Sequence, residues 1–258
     1  MSAPSQVTEK SSWQALVCGS SHLDPPLNAF LMRTGLIHIF VVSGTQLILL
    51  EQIFIFLKIP FPFRMVGLLF YAFCCNLQLP VTRAFLSLIF SHTNQTLGLA
   101  WRSDSLVFAS GVGILALFPE SGGSLSLYLS WLAALGLTFP HQTSFPKALL
   151  IYFLLLGPLW GFANLHPITI LFNFILAPLI GFILFPLALS LLPFPGISPF
   201  FDVFLSLLRK WALLMDDSWV YTGGTPLPRW VLWFYLLGLH GVFHFYQLHS
   251  LRRVQHDE

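Results

Sequence analysis

The sequence predicts an all-α, polytopic integral membrane protein of about 8–9 transmembrane or re-entrant helices. Three observations carry this expectation. Only 9% of the 258 residues are charged, 56% are hydrophobic, and the mean hydropathy is +0.78. A soluble chain of this length needs far more charge on its surface. The apolar residues gather into stretches near the length that crosses a hydrocarbon layer, about 20 residues for a helix. With 18 Gly and 18 Pro, about one residue in seven is Gly or Pro, as expected of broken or re-entrant helices whose freed backbone groups find buried partners or water. An aromatic content of 16%, led by 27 Phe, suits lipid-facing and interfacial positions.

In chain order, residues 1–34 are expected to form a polar N-terminus with short interfacial helices over Gln14 to Met32, punctuated by Asp24-Pro25-Pro26. This stretch has no apolar h-region, so no cleaved signal peptide is expected. A membrane domain follows over 35–248, and 249–258 is a short polar tail. Within the domain the candidate spans are Gly35–Leu57, Phe63–Leu79, Thr82–Leu99, Ser105–Phe118, Leu125–Phe139, Lys147–Phe162, Ile168–Leu192, Pro199–Leu214 and Pro228–Gln247. Pro199–Leu214 carries Arg209-Lys210 and lies either across the membrane or along its surface. With all the spans counted, Lys58, Arg64, Arg102, Lys147, Arg252 and Arg253 fall on one side. Lys10, Arg33, Arg83 and Arg229 fall on the other. Basic residues favour the inside, which predicts a cytoplasmic C-terminus. The net charge of +2 supplies no global basic field. Cys18, Cys74 and Cys75 form neither a disulfide framework nor a zinc set and read as small hydrophobes.

Polar residues inside apolar stretches carry the functional information. In the first span Gly35, His38, Val42, Thr45 and Gln52 share a helical stripe, Ser43-Gly44 interrupts it, and Gln46 lies beside it. A histidine at bilayer depth is paired or wetted. Either His38 ties two helices together, or His38, Ser43, Gly44 and Gln46 face an aqueous path. In the third span Arg83, Ser87, Ser91 and Asn94 form a narrow polar stripe. Arg83 at its mouth either offers its forked donors to a polyanion or snorkels to headgroups. Arg102 and Asp104 read as a loop ion pair and helix cap. In Ile168–Leu192, Pro178 and Pro186 must kink or unwind a helix that also holds Asn173. Unwound backbone at that depth lines a cavity, the alternative being a kinked packing helix.

The run HGVFH sets His240 and His244 on one helix face, with His249 following. That spacing suits a metal, but no HExxH glutamate and no carboxylate lies near in sequence. The histidines therefore read as interfacial, and no metal is expected. GxSxG, P-loop, GxGxxG and CxxC patterns are absent from the sequence. Ser43 and His38, five residues apart, lie roughly 140° apart on a helix and do not share a face. Neither enzyme activity nor a cofactor is expected.

Four stretches, in order, resemble the transmembrane competence domain of the ComEC family of DNA-uptake proteins. LDPPLNAFLMRTGLIHIFVVSG (Leu23 to Gly44) is similar to that family's LDPxL…RRTGLxHLLAxSGLH. VTRAFLSLIF with WRSD is similar to VxRAxLM and RRSDP. NFILAPLIGFILFPLALSLL (Asn173 to Leu192) matches NLLAxPLVxxxxxPLGLL with both prolines in register. TGGTPLPRWVLWFYLLGL is similar to the family's last span. The chain departs at Thr45-Gln46, where the family has a second histidine, and at GGSLSLY, Gly122 to Tyr128, where it has GFQLSF. The OB-fold and metallo-β-lactamase-like domains of full-length members are not in this sequence, which resembles a channel-only member needing separate partners.

The resemblance implies a channel or permease moving single-stranded DNA across the bacterial cytoplasmic membrane. His38, Ser43, Gly44, Arg83, Asn173 and Pro178 are the matching positions. The strand is then expected between the first, third and seventh spans, with Gln46, Ser87 and Asn94 along the same polar stripes. Implied partners are single-stranded DNA, membrane lipids, and a separate DNA receptor, nuclease and cytoplasmic translocase; a homodimer is left open. The alternatives are a transporter of a smaller anionic or polar solute and a non-transporting membrane scaffold.

Overall fold

The computed structural model describes residues 16, 17, 28, 31, 44–139, 144–159, 168–190, 198–214 and 225–256. They are all-α, with no strand among them. The chain divides into two compact units, Met1–Val81 with Phe162–Gly223 and Thr82–Gly161 with Gly224–Glu258. Among the described residues one helical stretch, Arg229–Leu248, is long and apolar enough to cross a membrane, and shorter apolar helices accompany it.

The first unit starts from a helical hairpin, α1 (Gly44–Phe56) and α2 (Phe61–Cys74). Helix α1 ends because Lys58 takes a left-handed backbone, φ 56°, so that the Ile59 N–H reaches back to Phe54 O at 3.0 Å. Pro60 precedes α2 and Pro62 sits in its first turn, where no intrahelical N–H is lost. Gly67 lets α2 approach the Phe54 ring, since a Cβ there would lie 2.9 Å from it. Glu51 and Arg64 close the hairpin with a 2.6 Å ion pair.

The segment Ile168–Leu192 was expected to kink. It runs as α7 (Ile168–Leu179), a π-helical turn (Ile180–Leu184) and α8 (Phe185–Ser190). Pro186 has no N–H to give Phe182, and its ring crowds that carbonyl. The wider turn absorbs both problems, with Phe185 N–H bonding Ile180 O. The turn's Gly181 faces Leu49 of α1, and Tyr71 meets Phe185 edge-on at 6.3 Å. Leu47, Leu68, Leu184 and Phe185 are fully buried here. Helix α9 (Ser198–Leu214) buries Phe201 and Leu205 and exposes Phe200 and Val203.

The second unit holds α3 (Leu79–Leu97) from Thr82 onward, α4 (Ser103–Leu117), a 3-10 turn (Pro119–Gly123), α5 (Leu125–Leu137), α6 (Ser144–Leu159) and α10 (Arg229–His256). Its core is aromatic. Trp131, 1% exposed, lies against Phe108 and Trp233. Gly111 makes the room, because a Cβ there would fall 2.3 Å from the Trp131 ring. Gly136 of α5 lies close to Ile151 and Leu154 of α6. Pro158 denies Leu154 O its intrahelical partner, and the Tyr235 hydroxyl of α10 donates to that carbonyl at 3.1 Å. The carbonyl of Gly122 accepts from both Tyr128 OH (3.0 Å) and Trp233 Nε1 (3.1 Å), fastening the 3-10 turn to α5 and α10.

Candidate functional site

The polar stripe of α3 turns inward on its own unit. Arg83 is 6% exposed, and its Nε donates to Ser130 Oγ of α5 at 2.9 Å. Its Nη1 is buried without a hydrogen-bond partner, and no carboxylate among the described residues pairs with it. Arg83, expected from sequence at the mouth of this stripe, is thus buried within its own unit. One turn on, Ser87 donates to Ser110 Oγ of α4 at 3.4 Å, and Ser110 donates to Val107 O. Asn94 clamps the backbone of Trp101, accepting from its N–H at 2.8 Å and donating to its carbonyl at 3.1 Å. It thereby closes the loop from α3 to α4, which turns on Gly98 (φ 62°) and Ala100 (φ 52°).

The other expected residues belong to the first unit. Gly44 opens α1 and is buried, and Gln46 is 2% exposed. Asn173 is helical in backbone; its side chain lies outside the described residues, as do His38 and Ser43. Pro178 is exposed near the end of α7, just before the π turn.

A second polar cluster was not legible in the sequence. Asp104 is 1% exposed, and its Oδ2 accepts from His244 Nδ1 at 2.7 Å. Arg102 Nη2 lies 3.2 Å from His244 Nε2, and Arg102 Nε is 4.0 Å from Asp104 Oδ1. The loop ion pair is thus present but long. Arg102 itself occupies the cap position of α4, with no side-chain cap bond. His240 is buried and accepts from Trp131 Nε1 at 2.6 Å. It is a core residue rather than an interfacial one. Because an indole N–H only donates, His240 Nε2 is unprotonated. The signal for this cluster was HGVFH, whose partner Asp104 lies 140 residues away in sequence.

The family model described as Competence protein matches residues 16–248. The chain belongs to the Competence protein family. The match runs through both compact units and includes the clamped loop, Arg83 and the Asp104 cluster. Membership in the Competence protein family implies a role in DNA uptake. No curated protein and no solved structure matches the chain.

Proposed function

We propose that this Competence protein is a channel that passes single-stranded DNA across the bacterial cytoplasmic membrane as a multi-pass, non-enzymatic membrane protein. The observation that carries the reading is the uncompensated guanidinium of Arg83. A buried cation costs several kcal/mol unless it is paired. Here a single serine oxygen serves it and Nη1 stays open. A passing phosphodiester supplies the missing anion. Ser87 and Asn94 lie along the same helix, and Gly44, Gln46, Asn173 and Pro178, with His38 and Ser43, are the corresponding path residues of the first unit. Backbone contacts do not read bases, so passage tolerates sequence and weakens with salt where the strand enters. A DNA receptor, a nuclease and a cytoplasmic translocase work with it.

The test is uptake of labelled DNA by cells lacking the gene, complemented by wild type, Arg83→Ala or His38→Leu at matched expression. Deletion is expected to abolish internal single strands, and neither variant is expected to restore them. Unchanged uptake on deletion, in cells with no second family member, overturns the reading.

A further inference from the structure

We infer that Arg102 is a second phosphate contact for single-stranded DNA, and that His244 and Asp104 are positioning residues that keep its guanidinium available. The inference rests on the channel reading above and adds a site at the opposite end of α3 from Arg83.

Asn94 holds both polar backbone groups of Trp101, so the residue after it starts from a fixed point. Arg102 leaves that point with extended backbone, φ −80° and ψ 160°, and its side chain makes no capping bond to α4. It reaches instead to α10, where Nη2 lies over the His244 ring, 3.2 Å from Nε2 and 3.4 Å from Nδ1. A carboxylate oxygen facing Nδ1 is an acceptor, so the ring proton sits on Nδ1. That N–H donates to Asp104 Oδ2 at 2.7 Å. Asp104 thus holds the His244 ring, and the ring lies against the Arg102 guanidinium.

Arg102 at the cap of α4 and Asp104 in its first turn are two residues apart and able to close into a forked, bidentate pair, the strong form of this interaction. They do not. His244 occupies Oδ2, and Arg102 Nε stays 4.0 Å from Oδ1, beyond hydrogen-bonding distance. Asp104 Oδ1 and Arg102 Nη1 are both buried without partners. His244 therefore acts as a spacer that keeps a cation short of its carboxylate. Its ring is 48% exposed and the Arg102 side chain 23%, so a small rotation of the guanidinium toward that side gives its open donor an oxyanion acceptor.

From Arg83 to Leu97 the helix advances about 21 Å at 1.5 Å per residue, and Arg102 follows directly after the clamped loop. The second unit thus carries a guanidinium with an unpartnered Nη1 toward each end of α3, with the Ser87–Ser110 pair between them. An extended strand with regularly spaced phosphates is a ligand that meets both.

The experiment measures binding of a fluorescent oligothymidylate to the full chain in nanodiscs over a range of salt. For single strands, log K falls against log salt with a slope of about 0.7 per phosphate contact. Arg102→Gln is expected to reduce the slope by about 0.7 and Arg102→Lys to retain it. His244→Leu is expected to reduce it as well, although the arginine is still present, because the guanidinium then closes onto Asp104. Adding Asp104→Asn to His244→Leu is expected to restore the slope. A merely structural arginine weakens binding without changing the slope. Wild type that binds the strand, with an Arg102→Gln slope equal to its own, overturns this inference alone. Wild type with no affinity for the strand overturns the channel reading and this inference together. The Arg102→Gln and Arg102→Lys pair decides the matter even where His244→Leu fails to fold.

Discussion

Arg83 and Gly111 show how differently a single residue acts in this molecule. A buried cation served by one serine hydroxyl opposes folding, because its desolvation is only partly offset. Arg83→Leu is therefore expected to keep or raise the unfolding temperature of the purified protein while abolishing DNA uptake. A parallel loss of stability and uptake marks Arg83 as a packing residue instead. Gly111 has the opposite character. Its absent Cβ is the space in which Trp131 sits, 2.3 Å from where that atom would be. Gly111→Ala overpacks the aromatic core and is expected to cost about 1–3 kcal/mol. Gly238→Ala meets nothing within 4 Å and is expected to be neutral or to stabilise α10 by about 0.5–1 kcal/mol. Thermal unfolding of the two variants side by side checks both signs, and equal effects defeat the packing account.

At the scale of elements, the π turn between α7 and α8 is the clearest case of sequence chemistry fixing backbone geometry. It exists because Pro186 cannot complete an α-helical bond to Phe182. Pro186→Ala is expected to return residues 180–184 to α-helical register and to slow amide exchange across residues 181–185. Unaltered exchange through this stretch assigns the turn to the packing of Gly181 against Leu49 instead. The sequence foretold a break here because proline acts locally. It also located most helices to within a few residues, since apolar stretches end where turn residues begin. The last helix extends past its expected end at Gln247 to His256, because Arg and Gln are good helix formers even where apolar character stops. The polar stripe on α3 was legible as a stripe, but not the side it faces, which Ser130 and Ser110 on other helices decide. The Arg102–Asp104–His244 cluster was illegible for the same reason: no local pattern brings residues 104 and 244 together.

The whole molecule poses a question of orientation. In the expected topology the C-terminal side gathers Lys58, Arg64, Arg102, Lys147, Arg252 and Arg253. These charges do not weigh equally. Arg64 is held by Glu51 at 2.6 Å. A paired charge crosses or stays with its partner and steers insertion less than a free one. Arg252 and Arg253, a few residues past the stretch Arg229–Leu248 that is long enough to cross, sit where basic residues count most. A reporter fused to the C-terminus is therefore expected to be cytoplasmic: fluorescent as a fluorescent-protein fusion and inactive as an alkaline phosphatase fusion. Arg252→Gln with Arg253→Gln is expected to raise phosphatase activity several-fold. Arg64→Gln is expected to leave the orientation unchanged, because the cation it removes is already balanced by Glu51. A wild-type fusion active as phosphatase reverses the topology, and it would move the basic end of α10 to the side from which DNA arrives.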